Sequence, residues 1–229
     1  MTGYDRYAIY YAPLPGALAD FAARWLGWDA ATGREVAHPD VPGLPRAVAG
    51  LTETPRKYGF HGTIKPPFRL AGGESAEKLH QAAAGLAARL APVTLDGLAL
   101  HRLGGFLALT PTGDASALAT LAAEVVTGLD GFRAAPDAAE IARRRPDRLN
   151  PRQRALLDRW GYPYVLEEFR FHLTLTGDLP PGEVEVVETA LAPLVAPLLP
   201  QPFTVDQLCL FGQAANGRFH ILHRYTLSG

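Results

Sequence analysis

Two stretches of the 229-residue chain carry the same order of elements, with like residues at corresponding places. In the first, Tyr7–Tyr11 is a β-branched and aromatic run closed by Pro13, which reads as a strand. A helix follows with Leu18, Phe21, Ala22, Trp25 and Leu26 on one face. Phe60–Lys65 reads as a second strand, stopped by Pro66 and Pro67. Ser75 caps a helix striped by Leu79, Ala82, Ala83, Leu86 and Leu90. Val93–Arg102 then alternates and turns at Gly104-Gly105. The second stretch opens with the return strand Phe106–Thr110, ended by Pro111 as the first was by Pro13. Its helix carries Leu118, Leu121, Ala122, Val125 and Leu129, its strand is Phe171–Thr176, and Pro181 starts its last helix. Pro202-Phe203-Thr204-Val205-Asp206 then matches Pro92-Val93-Thr94-Leu95-Asp96.

The spacing supports duplication. His61 to Thr94 is 33 residues and His172 to Thr204 is 32, whereas Pro13 to His61 is 48 and Pro111 to His172 is 61. The second copy therefore holds an extra segment ahead of its histidine strand. A final strand, Arg218–Leu227, follows an Asn216-Gly217 turn and can complete the first sheet. The expectation is an α+β protein, a duplicated two-lobe fold with two antiparallel sheets facing a central cleft and helices outside. It would be one domain over residues 1–229, with one lobe of about 1–103 plus 217–227, the other of about 104–216, and a helical insertion over about 131–168.

Composition narrows the functional classes. The formal net charge is −1, from 22 basic and 23 acidic side chains, which argues against a broad basic face for long nucleic acid but not against a local anion pocket. The lone cysteine, Cys209, permits no intrachain disulfide and suits a reducing compartment. The N-terminus lacks the basic-then-apolar pattern of a secretory leader, and no apolar run reaches the ~18 residues of a membrane span. A cytoplasmic monomer without membrane contact is expected.

Both copies place a histidine two residues before a threonine, His61-Gly62-Thr63 and His172-Leu173-Thr174. Residues two apart on a strand share a face, so His61, Thr63 and Lys65 would form one row, and Arg170, His172, Thr174 and Thr176 another. Such rows suit phosphoryl chemistry. Imidazole exchanges protons near neutrality, a threonine hydroxyl donates to a phosphate oxygen, and a cation offsets the charge. Tyr11 at the end of its strand, and Tyr164 in the lead-in to the second histidine strand, are further candidates for contact with substrate. No His-x-His or His-x₃₋₅-His spacing occurs, and Cys209 has no cysteine or histidine at ligand spacing, so no metal and no other cofactor is implied.

The paired His-x-Thr motifs on a duplicated frame resemble the two-histidine (2H) phosphoesterase superfamily, which includes cyclic phosphodiesterases. The flanks go further. Lys57-Tyr58-Gly59-Phe60-His61-Gly62-Thr63-Ile64-Lys65-Pro66-Pro67-Phe68, Arg6-Tyr7-Ala8-Ile9-Tyr10-Tyr11-Ala12-Pro13 and Phe169-Arg170-Phe171-His172-Leu173-Thr174-Leu175-Thr176-Gly177 are similar to its phosphonate-metabolism branch, encoded beside carbon–phosphorus lyase genes. The resemblance implies His61 and His172 as catalytic histidines and Thr63 and Thr174 as phosphate-holding hydroxyls. It also implies a small anionic phosphate ester as substrate, such as a ribose cyclic phosphate (5-phosphoribosyl 1,2-cyclic phosphate). A 2′,3′-cyclic nucleotide or RNA-end phosphodiesterase and a non-catalytic phosphosugar or nucleotide sensor are the alternatives.

The extra segment is strongly basic. Arg143, Arg144, Arg145, Arg148, Arg152 and Arg154 face only Asp147, and Asn150-Pro151 reads as the start of a helix with Leu156 and Leu157 inward. The segment is either a solvated helical hairpin or a cationic flap over an anionic substrate.

Overall fold

A computed structural model describes residues 3–229; Met1 and Thr2, the first residues of the leader-free terminus expected above, lie outside the described residues. In chain order the elements are β1 (Tyr4–Tyr11), α1 (Ala17–Leu26), a small hairpin of β2 (Trp28–Asp29) and β3 (Arg34–Glu35), the single turns α2 (Val48–Leu51) and α3 (Glu53–Arg56), and β4 (Gly62–Phe68). Next come α4 (Ala76–Ala87), β5 (Val93–Leu95), β6 (Gly97–Leu103), β7 (Phe106–Thr112) and α5 (Ser116–Gly128). The extra segment contributes α6 (Ala138–Arg143) and α7 (Pro151–Trp160). The chain ends with β8 (Leu173–Thr174), α8 (Pro181–Val195), β9 (Phe203–Val205), β10 (Gln207–Ala214) and β11 (Phe219–Thr226).

Among the described residues the main sheet has seven strands in the order β11-β10-β1-β4-β8-β7-β6. Its two halves join where β4 meets β8 at the single pair Gly62↔Leu173. One face carries the core. There α4 packs on β10 and β11, α5 on β4, and α8 on β6 and β7. Trp25, Leu79, Leu107, Val125, Leu173 and Val187 are all fully buried in one cluster that spans both halves. The other face holds a smaller cluster of Ala8, Tyr10, Cys209, Phe211 and Phe219 under Trp28 and lies toward the cleft.

The duplication is visible in the pairing itself. Gly62 and Leu173 occupy equivalent places in the two copies, and they pair with each other. So do the equivalents Thr94 and Thr204 in the separate β5–β9 ribbon, where their hydroxyl oxygens stand 3.1 Å apart. Antiparallel pairing of equivalent residues requires a local twofold axis through each pair. The lobes exchange strands, however. The boundary expected near residue 103 cuts a tight hairpin, so β6 stays with β7 and β8, while β10 joins β1 and β11.

Two strands differ from expectation. β4 starts at Gly62, one residue after His61, and runs through Pro66 and Pro67 to Phe68. Its register against β1 goes from Tyr10↔Thr63 to Ile9↔Lys65 and then Tyr7↔Phe68, so it carries an extra residue at each of two bulges. Proline is tolerated at a bulge because no ladder donor is needed there. The first bulge also breaks the alternation after Thr63 and turns Lys65 to the helical face. β8 is shorter than the expected Phe171–Thr176, because the backbone N–H groups of Leu175 and Thr176 both donate to the Leu107 carbonyl and end the regular ladder.

In the extra segment, the Asn150 side chain caps α7 in a capping box with Gln153, and Pro151 takes the first helical position. Leu156 then packs with Val126 and Val165 against the body of the protein.

Lys65 generates a test of this arrangement. Its Nζ donates to the Val126 carbonyl at 2.9 Å and stands 3.5 Å from the Asp130 carboxylate, and its side chain is 2% exposed. Burial pushes its pKa from 10.5 down to about 8, against the attraction of Asp130. Asp130→Ala leaves a buried cation without its partner and should cost about 3–5 kcal/mol in urea denaturation at neutral pH. Lys65→Met removes the charge itself and should cost less. The unfolded chain holds the Lys65 proton longer than the folded one, so the contribution of Lys65 to stability should grow as pH rises from about 8 to 10.5 and be missing from Lys65→Met. The reverse order of the two variants would contradict the buried pair.

Candidate active site

The Gly62↔Leu173 pair centres the site. One residue further along the same antiparallel register, His61 falls opposite Thr174 and Thr63 opposite His172. Each histidine thus stands beside the threonine of the other copy. The close approach depends on glycine. A Cβ at Gly62 would lie 2.4 Å from the Phe171 ring, which packs under it in the core.

Both imidazoles are held the same way. His61 Nδ1 lies 2.9 Å from the Gly59 carbonyl and His172 Nδ1 lies 2.8 Å from the Arg170 carbonyl, in each case two residues back. A carbonyl only accepts, so Nδ1 carries the hydrogen and Nε2 the lone pair. Gly59 adopts a left-handed φ of 71°, and a Cβ there would meet Ala30 at 2.7 Å. The Thr63 hydroxyl lies 3.3 Å from His61 Nε2.

The surroundings of the two rings differ. Tyr10 pairs with Thr63 across β1–β4 and stacks on His61 with ring centroids 4.0 Å apart. The corresponding residue beside Thr174 is Ala108, which offers no ring, and the nearest aromatic to His172 is Phe106 at 5.6 Å. Burial pushes the His61 pKa down to about 4; the Gly59 carbonyl opposes this and the charge of His172 adds to it. Burial also lowers the pKa of His172, opposed by its bond to Arg170. Both rings are therefore neutral near pH 7.

A cleft of about 410 Å3 opens over this pair. His61, Thr63, Thr174 and Thr176 line it; His172 lies just outside the lining, behind Phe106, which does line it. Thr176 is 1% exposed and its hydroxyl oxygen accepts from the Leu107 N–H, so its first role is to hold β7. The other expected contacts are not brought here. Lys65 lies on the opposite face, turned there by the bulge. Arg170 is exposed and bonds back to the carbonyls of Glu167 and Phe169. Tyr11 packs into the core against Phe171 and Phe203. Tyr164 is 48% exposed, edge-on to Tyr162, which does line the cleft.

The site also holds residues that the sequence reading missed. Tyr10, Tyr58 and Tyr162 form an aromatic wall, and Arg6 and Arg144 supply positive charge, with Asp178 as one opposing carboxylate. The signal for Tyr10 was available, since it shares the β1 face of Ala8 and Ala12 rather than the apolar face of Tyr7, Ile9 and Tyr11. Of the basic segment, only Arg144 lines the cleft, and its guanidinium lies 4.6 Å over the Tyr162 ring. Arg152 instead pairs with Glu167, and Arg154 bonds to the Leu149 and Asp147 carbonyls.

Residues 63–220 match the profile of a family described as protein of unknown function (DUF1045), and the chain belongs to that family. A protein named ribose 1,5-bisphosphate phosphokinase PhnN from Janthinobacterium sp. (strain Marseille) is 38% identical over 211 residues, which cover 90% of this chain and 47% of that protein. A protein of the same name from Laribacter hongkongensis (strain HLHK9) is 39% identical over 182 residues, 79% of this chain and 42% of that one. The chain thus spans about half the length of the curated relatives it matches. Among solved structures, apo LigT of E. coli superposes with a TM-score of 0.46 at 17% identity over 100% of each chain. LigT complexed with 3′-AMP gives 0.44 at 19% identity over 98% of each chain.

Two outcomes check the site. In nitrogen-detected NMR of the free protein, both histidines should be Nδ1–H tautomers at neutral pH, with His61 titrating near 4 and His172 below the usual 6.5. The unfolded chain binds the His61 proton first, so stability should fall as pH drops from 6.5 toward 4. Tyr10→Leu should raise the His61 value, and a His61 titration at or above 6.5 in the parent would contradict its burial. Gly62→Ala should cost about 1–3 kcal/mol through displacement of Phe171. An unchanged urea midpoint would mean that the ring moves freely.

Proposed function

We propose that the protein is a phosphoesterase that hydrolyses a small cyclic phosphodiester without a metal ion. The observation that carries this reading is the antiparallel pair of His-x-Thr motifs, each with Nδ1 bound to a backbone carbonyl so that Nε2 carries the lone pair, which in His61 accepts from the Thr63 hydroxyl. His61 is the base. Its deeper burial under Tyr10 keeps Nε2 unprotonated, so it takes the proton of the attacking water. The water oxygen bonds to phosphorus as the ester bond on the far side breaks. His172, less covered, is protonated beside the bound phosphate anion and gives its Nε2 proton to the departing sugar oxygen. Thr63 and Thr174 donate hydrogen bonds to the non-bridging oxygens as charge builds there.

The name of the relatives supports a ribose substrate. Opening a 1,2-cyclic phosphate of ribose 5-phosphate at O2 yields ribose 1,5-bisphosphate, the compound named in ribose 1,5-bisphosphate phosphokinase. A second reading, a 2′,3′-cyclic nucleotide phosphodiesterase, draws on the Tyr58 and Tyr162 wall, which could stack a base. Phosphorus NMR of the products from a panel of cyclic phosphates separates the two, and no turnover of any member would leave a binding protein.

His61→Ala and His172→Ala should each lower kcat/KM by ~10²–10⁴, and the double variant by less than the product of the two. Thr63→Val and Thr174→Val each remove one hydrogen bond to phosphate and should cost about tenfold. The kcat/KM profile should be bell-shaped, with limbs that belong to the coupled pair. It should fall at low pH as His61 gains a proton and at higher pH as His172 loses one. Both pKa values are lowered in the free enzyme, so the optimum should lie on the acidic side of neutral. Activity should survive chelation. Loss on chelation that zinc restores, or an alkaline optimum, would contradict the mechanism.

A further inference from the structure

A side cavity of about 40 Å3 adjoins the cleft and shares Arg6, Pro67 and Arg144 with it. Arg69, Arg133, Arg143 and Glu140 complete its charged wall. Half of those charges are already neutralised. Arg69 pairs with Asp137 and Glu140 at 3.0 Å each, and Arg133 pairs with Asp130 at 2.7 Å. Three are not. Arg6 donates from Nε to the neutral amide of Gln213 at 2.6 Å, Arg144 lies over Tyr162, and Arg143 projects from the end of α6. None of these three has a carboxylate partner among the described residues. Arg6 and Arg144 line the cleft together with His61 as well as the side cavity, so the unpaired charge is shared between the two spaces.

Arg143 is exposed, but Arg6 and Arg144 are half-buried, and a partly desolvated guanidinium without a counter-charge is costly, which favours an anion between those two. A buried water needs roughly 10–15 Å3, so the cavity has room for about three oxygens. The terminal oxygens of a phosphomonoester number three, carry up to two negative charges, and fit the planar fork of arginine. We propose that this side cavity is a second anion subsite, which takes a terminal phosphomonoester of the same small molecule whose cyclic phosphodiester lies between His61 and His172. It rests on the phosphoesterase reading for the identity of that molecule, and it makes specificity a matter of two phosphates rather than one.

The test compares two substrates, the 1,2-cyclic phosphate of ribose 5-phosphate and that of ribose. Calorimetry with ribose 1,5-bisphosphate and ribose 1-phosphate runs in parallel. The parent protein should prefer the doubly phosphorylated member of each pair by on the order of 10–100-fold, the size of a charge-assisted contact. Arg144→Gln and Arg6→Gln should each reduce that ratio about tenfold. Arg148→Gln, exposed and lining neither cavity, should leave it unchanged. Equal losses for both ligands of a pair, or an equal fall of the ratio in Arg148→Gln, would overturn the subsite. If neither cyclic phosphate turns over, the phosphoesterase reading fails, and the calorimetric ratio still decides the subsite by the same criteria.

Discussion

The site depends on one backbone contact, the antiparallel pair of Gly62 with Leu173. It joins the two halves of the sheet and fixes which side chains of the two motifs become neighbours. It also works only with glycine on one side, since the Phe171 ring fills the space where a Cβ would stand. Leu173 on the other side is fully buried in the core beneath. The pair therefore joins the packing of the hydrophobic face to the placement of polar groups on the opposite face. A one-residue slip here would exchange the two faces of β8 and bury His172 where Leu173 belongs.

Burial of the imidazoles follows from the same arrangement. The proposed base has to stay unprotonated, and burial under Tyr10 lowers the His61 pKa in that direction at some cost to stability in acid. The carbonyls of Gly59 and Arg170 fix the tautomer, so Nε2 carries the lone pair. These bonds come from the local chain and need no partner from elsewhere in the fold, which is how both copies keep them despite different surroundings.

Much of this was legible in the sequence because it is periodic. The repeat, its helices, the His-x-Thr pair and the capped helix at Asn150 all follow from spacing and residue type. What could not be read depends on departures from period. Strict alternation puts Lys65 in the row with His61 and Thr63, but the bulge at Ile64 turns it inward to Asp130. Tyr11 was favoured over Tyr10 by its place at the strand end, yet the apolar partners of Tyr7 and Ile9 put Tyr11 on the core face. Arg170 and Tyr164 sit in irregular chain before β8, where no period assigns a direction. Arg6 and Arg144 lie far apart in sequence and meet only through the docking of the extra segment, for which no local signal exists.

The two sources of the site divide its tasks. A twofold repeat supplies like groups on two sides of a point, which matches the symmetric part of the proposed chemistry, an oxygen arriving and an oxygen leaving along one line through phosphorus. No substrate is itself twofold symmetric, so discrimination has to come from what the copies do not share. Here the unshared parts are Tyr10 against Ala108, which makes one imidazole more deeply covered than the other, and the extra segment with Arg144 and Tyr162, which has no counterpart in the first copy. In the proposed mechanism the first difference assigns direction to proton transfer. The second adds charge and an aromatic wall on one side only. Duplication by itself would give two equivalent histidines with no preference between base and acid; the asymmetric residues around them turn that pair into a site with an orientation.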